Sequence, residues 1–472
     1  MFLKYFELEE CMKEQLLRLI EPKKGLEETR KIFSDHDLKV LIVPLFFEQL
    51  LEVLVGVSDT FMVSYAGEAA VSGVSLVNMF NTIFIFLFSA LAAGGAVVIS
   101  QYIGCRDREN GNFSSGQLVM ISAVFSVLIM AAVLIFNRSL LRLLFGEVDG
   151  PVMEACVTYL RISAYSYPAI AVYNAGAAMY RSMGKTDVTM YLSVAANVIN
   201  IVGNAAGVFV FHAGVAGVAY PSLIARSFSA IVIIILCFKE SNQVCLRFRN
   251  IFRWSGSMLK RILGIAVPNG IENGLFQLAK VALSSITALF GTVQIAANGV
   301  AQSFWSVAAL MGTSVGLAFV TVIGQCIGAG DREAADYYMK KLLRITFLAS
   351  ILWNGLILIL SPLILRGYAL SAEAARLVLI LILIHNVFNS MFYPLSGALS
   401  NGLRAAGDVK FTMFVSVFST IGCRIVFSVI FGIYFNLGVI GVALAMCLDW
   451  GIRAVMFYER FRKGKWKEFK VI

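Results

Sequence analysis

The sequence predicts an all-α integral membrane protein with twelve transmembrane helices in two pseudo-symmetric six-helix lobes. Three observations carry this reading. Hydrophobic residues make up 59% of the 472 positions and charged residues only 14%, with a mean hydropathy of +0.80; soluble domains are about a quarter charged. The apolar residues gather into stretches long enough to cross a bilayer, each crossing needing about 20 of them. The second half of the chain then repeats the first at an offset of 224 residues.

The first six spans fall near 40–64, 73–102, 117–137, 152–179, 188–211 and 216–238, and the second six near 262–289, 297–324, 342–365, 373–402, 411–434 and 440–459. This divides the chain into a cytoplasmic amino-terminal arm (1–37), an amino-terminal lobe (38–238), a cytoplasmic linker (239–261), a carboxy-terminal lobe (262–460) and a basic tail (461–472). The arm carries charges of both signs and no apolar core followed by a cleavage site, so no signal peptide is expected. Two states suit it, an amphipathic helix at the membrane surface or disorder.

Positive charge orients the spans. The arm, the linker, the tail and alternate loops hold 31 of the 39 Lys and Arg residues, all on one side of this topology. The opposite loops offer Arg138, Arg142, Arg366 and Arg376. Both termini therefore face the cytoplasm. The net charge of +10 is a topology signal, not a nucleic-acid surface, which would need a basic face on a soluble domain.

Residues 43–109 align with 267–333 without a gap, and 16 of these 67 positions are identical. The matches include Val43-Pro44 with Val267-Pro268, Glu48 with Glu272, Gly67 with Gly291, and Gln101-x-Ile103-Gly104 with Gln325-x-Ile327-Gly328. Asp107-Arg108-Glu109 likewise meets Asp331-Arg332-Glu333. Apolar bias does not produce matches at Pro, Gln, Gly, Asp and Arg. Each half has an even number of spans, so the repeats run parallel, an arrangement that places a substrate cavity between them.

Ionisable groups at membrane depth are costly and need a reason. Glu48, Glu52 and Asp59 share one face of the first helix, within about 40° at 100° per residue. Asp59 lies deepest and suits a carboxylate that binds and releases a proton; Glu48 and Glu52 read as structural. Asp59 aligns with Leu283, so the second half lacks that carboxylate. Its seventh helix carries Glu272 and Lys280 instead, as possible cavity charges or internal ion-pair partners. Asn174, Asn197, Asn200 and Asn204 supply amides in the fourth and fifth helices, the last three along one stripe. Arg226, Arg424, Asp449 and Arg453 read as helix-end groups that snorkel to the interface.

Other chemistry is excluded. His36, His212 and His385 show no metal-ligand spacing, and the eight cysteines form no CxxC motif. Gly184-Lys185-Thr186 ends like a phosphate loop, but Met179 stands where that motif needs Gly. No metal, cofactor or catalytic residue is assigned, and any active transport must draw on a gradient.

The motifs resemble the multidrug and toxic compound extrusion (MATE) family over about residues 38–460. Pro44 with Val57-Ser58-Asp59-Thr60-Phe61-Met62-Val63, Gln101-x-x-Gly104 before a charged turn, Arg181-x-x-Gly184 and Asn200 carry the likeness, with partial echoes in the second half. The resemblance implies a V of two lobes in a multi-pass plasma-membrane protein, monomeric and bacterial. It implies export of small, often cationic compounds in exchange for H⁺ or Na⁺ by alternating access. Asp59 matches the family's proton or cation site; Asn174 and Asn200 match polar partners, Ser222 falls where a hydroxyl can stand, and Pro44 matches a helix-1 hinge. Asn204 replaces a second Asp common in close relatives, which weakens a dedicated Na⁺ site. Phe276 and Tyr393 fall where the NorM-like branch has acidic residues, so the chain looks DinF-like and H⁺ coupling is favoured. The alternative within the wider superfamily is a lipid-linked precursor flippase, which needs cationic cavity residues; Lys280, Arg226 and Arg424 are available for that role.

Overall fold

A computed structural model describes residues 19–146, 149–368 and 370–472. Residues 1–18 of the predicted arm, Cys11 among them, lie outside the described residues. Among the described residues the chain forms twelve long helical rods and no strand. The first six are α1 (Asp35–Ser64), α2 (Glu68–Gly104), α3 (Arg108–Phe145), α4 (Gly150–Tyr165 and Tyr167–Ser182), α5 (Thr186–Ala205, with a π-helical turn Ala206–Val210) and α6 (Ala216–Cys237). The second six begin with α7 (Gly256–Ala288), α8 (Thr292–Ala308 and Leu310–Gly328) and α9 (Arg332–Leu365). They continue with α10 (Ala372–Tyr393, the π-helical turn Pro394–Ala398 and Leu399–Ala405), α11 (Val409–Val417 through π-helical turns to Tyr434) and α12 (Gly438–Arg462).

Among the described residues, ten helices are long and apolar enough to cross a bilayer by length and composition alone. The other two rods have visible reasons for falling short. α4 is broken at Ser166, where Pro168 has no N–H to offer the carbonyl four residues back, that of Ala164, and its ring crowds it. In α7, Asn269, Glu272, Asn273, Gln277 and Lys280 dilute the apolar run. Outward faces are those of a protein in lipid: Leu128, Ile135 and Ile359 are each more than 60% exposed, an arrangement water would not tolerate across so much surface.

The chain divides into two compact units. Lys39–Leu278 with Val471–Ile472 form one; Ala279–Lys470 with the described residues up to Leu38 form the other. The first unit is held by small-residue crossings. Gly94 of α2 abuts α7 so closely that a Cβ there would stand 2.7 Å from the Ile262 carbonyl oxygen. Gly207 at the end of α5 meets Gly217 of α6 backbone to backbone, where a Cβ would stand 2.1 Å from the Gly217 oxygen. An aromatic seam of Phe80, Phe84, Phe88 and Tyr167 fills the space between α2 and α4, and the Tyr167 hydroxyl donates to Asn81 Oδ1 at 2.6 Å.

Pro44 sits inside α1 and cannot donate to the carbonyl of Val40. The Thr186 hydroxyl, opening α5, occupies the gap, lying 3.1 Å from the Val40 oxygen and 2.9 Å from that of Leu41. One turn beyond Pro44, Glu48 is buried in an ion pair with Arg181 and accepts from the Thr189 hydroxyl at 2.8 Å.

In the second unit the described arm residues strap onto α9. Arg30 holds Asp331 through two hydrogen bonds of 2.5 and 2.9 Å, Lys341 pairs with Glu21 and Asp35 at 2.6 Å each, and the Tyr338 hydroxyl donates to the Phe33 carbonyl. The repeat is visible in local geometry. Asp107 and Asp331 cap α3 and α9 alike, accepting from the amides of Asn110 and Ala334. Gly441 of α12 also meets the backbone of Gly432 as Gly217 meets Gly207. The seven described cysteines are all free.

Candidate functional site: a polar cavity in the first unit

Helices α1, α2, α4, α5 and α6 enclose a cavity of about 560 Å³. Asp59 lines it from α1, Asn174 from α4, Asn200 from α5 and Ser222 from α6. A hydrogen-bonded chain links three of these helices. Asn204 Nδ2 lies 2.7 Å from Asp59 Oδ1 and 3.1 Å from Asn200 Oδ1, and Asn200 Nδ2 donates to Ser222 Oγ at 2.9 Å. Asn200, Asn204 and Ser222 are buried, while Asp59 is half-buried at the cavity wall.

The stripe Asn197, Asn200 and Asn204 places amides one turn apart on α5, which is what lets one side chain hand its acceptor to the next. The local fold makes this possible: the Gly207–Gly217 crossing pulls α5 and α6 together beside the network, and Gly203 fits against Pro221. Asn174 lines the cavity without joining the chain of bonds.

Glu52 and Arg226 also line this cavity. Glu52 stands seven residues before Asp59, two helical turns, so its shared face was legible in the spacing although it read as structural. Arg226 is no helix-end group: α6 runs from Ala216 to Cys237 and places it mid-span. It donates to Ser166 Oγ at 2.9 Å, docking on the break in α4. The snorkelling expectation fails for Arg424 and Asp449 as well, which lie inside α11 and α12 and are 5% and 0% exposed. Glu272 and Lys280 part company: Glu272 belongs to the first unit and lines neither cavity described here, whereas Lys280 belongs to the second and lines a cavity there. Among the described residues no group of His, Cys, Asp and Glu is arranged to hold a metal ion.

A family model, MatE, matches this chain twice, at residues 44–206 and 268–430. The two matches keep the offset of 224 that the sequence repeat shows. The chain is a multi-pass membrane transporter rather than an enzyme, and it belongs to the MatE family. It is 28% identical to "Uncharacterized transporter YisQ" of Bacillus subtilis over 96% of this chain and 99% of that protein. It is 24% identical to "Probable multidrug resistance protein NorM" of Thermotoga maritima, covering 98% of each. The fold matches the solved structure described as "Outward-facing conformation of a multidrug resistance MATE family transporter of the MOP superfamily", with a TM-score of 0.86, 21% identity, and coverage of 96% of this chain and 98% of that one.

Proposed function

We propose that the protein exports small, cationic amphiphilic compounds across a bacterial plasma membrane, exchanging them for H⁺ by alternating access, with both termini in the cytoplasm. Relatives named as multidrug resistance proteins support the substrate class. The observation that carries the coupling role is the bonded chain Asp59–Asn204–Asn200–Ser222, of which Asp59, Asn200 and Ser222 line a polar cavity.

Ionised, Asp59 accepts from the Asn204 amide and offers its charge to a cation in the cavity. Protonated, it loses that charge, weakens the hold on a cationic compound and relaxes the tie between α1 and α5. Pro44 gives α1 a place to bend, because no amide hydrogen bond has to break there. Proton rather than Na⁺ coupling is favoured because Asn204 stands beside Asp59 where a second carboxylate would strengthen a metal-ion site. Pro44 is thus the hinge, Asp59 the titrating group, Asn204 its donor, and Asn200, Ser222 and Asn174 the polar surround.

Ethidium efflux from proteoliposomes under an imposed pH gradient or an imposed Na⁺ gradient tests this. The expected result is efflux driven by the pH gradient and reduced to background in Asp59→Asn. Efflux that follows Na⁺, or survives the substitution, would overturn the coupling role.

A further inference from the structure

The segment that joins the two repeats carries apolar bulk where a water-exposed loop needs none. Phe248, Phe252 and Trp254 are 68%, 81% and 67% exposed. Phe248–Phe252 form a single helical turn, with Arg247 and Arg253 at its two ends. At 100° per residue Phe248 and Phe252 share one side of that turn and Asn250 stands opposite.

The side that carries Asn250 is fixed to the protein. Gly116 of α3 leaves room for the Asn250 backbone, which a Cβ there would approach to 2.7 Å. Gln117 of α3 donates to the carbonyls of Asn250 and Arg253 at 2.9 and 2.5 Å and accepts from the Ser255 amide at 3.0 Å. Just upstream Val244, Cys245 and Leu246 are buried, and the Cys245 amide donates to Asn112 Oδ1 at 2.7 Å. The aromatic side is therefore held outward by its fastening to α3.

Two markers set its height in the bilayer. Gln117 stands where the apolar run of the third span begins, and Phe248 stacks at 4.6 Å on Phe238, where the sixth span ends. Ile231, Ile235 and Phe238 follow one another at helical spacing, and Ile231 and Ile235 are each 61% exposed. The lipid-facing surface of α6 thus runs on into Phe248.

Charge points the same way. No Asp or Glu occurs between Ser241 and Ile271, a stretch that holds five Lys or Arg. Arg247, Arg249 and Arg253 are exposed and join no ion pair among the described residues, and Arg253 lies over the Phe113 ring at 5.7 Å. Exposed aromatic rings interleaved with guanidinium groups suit the boundary between acyl chains and anionic headgroups.

We propose that Arg247–Trp254 is an interfacial anchor that docks on anionic phospholipid of the adjoining leaflet, rings at the acyl boundary and arginines on lipid phosphates. It is independent of coupling at Asp59, and it gives the joint between the repeats a contact for membrane charge.

The test uses the full chain in nanodiscs, with Trp254 emission taken as the difference between the parent protein and Trp254→Phe. The discs are phosphatidylcholine brominated on the upper acyl chain, alone or mixed with phosphatidylglycerol. Trp254 is expected to be quenched by the brominated lipid and shielded from acrylamide, with quenching rising about twofold or more when phosphatidylglycerol is present. Salt at about 1 M, where the Debye length shrinks to about 3 Å, removes that rise. The combined variant Arg247→Gln, Arg249→Gln and Arg253→Gln removes it at low salt, and Phe248→Ser with Phe252→Ser opens Trp254 to acrylamide. Asp59→Asn leaves all these readings unchanged, which separates this surface from the coupling reading. Trp254 that is quenched by acrylamide and untouched by brominated lipid in the parent protein would overturn the anchor. Lipid quenching that is equal with and without phosphatidylglycerol would overturn its assignment to an anionic surface.

Discussion

The two halves of this chain descend from one pattern and surround their cavities with opposite charge. Under the gap-free part of the repeat, Gly56, Asp59, Asn78 and Asn81 correspond to Lys280, Leu283, Gln302 and Trp305, and all eight residues line cavities. The first cavity carries Glu52 and Asp59 against Arg226; the second carries Lys280 and Arg424 with no acidic lining residue. Yet the scaffolding is shared, from the capping aspartates Asp107 and Asp331 to the glycine crossings at Gly217 and Gly441. A duplicated frame kept its packing and exchanged its chemistry.

The most severe way to break the comparison is to write the first cavity's carboxylate into the second. Leu283→Asp places an acid beside Lys280 and Arg424 at the position equivalent to Asp59. Added to Asp59→Asn, it is expected to leave gradient-driven ethidium efflux at background. Proteoliposomes of the double variant measure it, and restored efflux would show that a carboxylate in either cavity suffices.

A smaller effect sharpens the shared part. Gly207→Ala forces a Cβ to within 2.1 Å of the Gly217 oxygen, and Gly441→Ala to within 2.5 Å of the Gly432 nitrogen. Each should destabilise the protein by roughly 1–3 kcal/mol, as overpacking does, seen as a lowered thermal midpoint in detergent. If one crossing tolerates alanine and the other does not, the frames are less alike than their geometry suggests.

The smallest effect concerns the arm. Hydrogen bonds from the Arg30 guanidinium, outweighing burial, hold the Asp331 carboxyl below the usual aspartate range. A carboxyl depressed in the folded state stabilises above its unfolded pKa, near 3.9, and that contribution is lost as the pH falls through the folded value. Arg30→Ala is therefore expected to lower the thermal midpoint slightly at neutral pH, and the gap from the parent protein should close on acidification below about pH 4. A gap that widens in acid would contradict the pairing.

Much of the fold was legible in the sequence because lipid imposes long apolar runs that composition reveals, and because Pro44, Gly67 and the Asp-Arg-Glu turns recur at one offset. The breaks were not. Ser166 and Ala309 interrupt rods whose hydropathy is continuous, and the π-helical winding of α11 has no periodic signature that survives in a fully apolar span. At the site, the amide stripe on α5 was readable from its spacing, but its convergence on Asp59 and Ser222 depends on a glycine crossing between separate helices. Arg226 and Arg424 were misplaced at helix ends because charge in an apolar run suggests snorkelling first. Only the helix bounds show them mid-span.

The central claim is that the halves divide the work, with proton exchange confined to the first. The direct measurement is proton movement itself, followed with pyranine trapped in proteoliposomes while ethidium is added, in the parent protein, Asp59→Asn and Lys280→Gln. The account predicts ethidium-dependent proton flux in the parent protein and in Lys280→Gln, and none in Asp59→Asn. Proton flux that persists without the Asp59 carboxylate, or vanishes with the Lys280 charge, would contradict it.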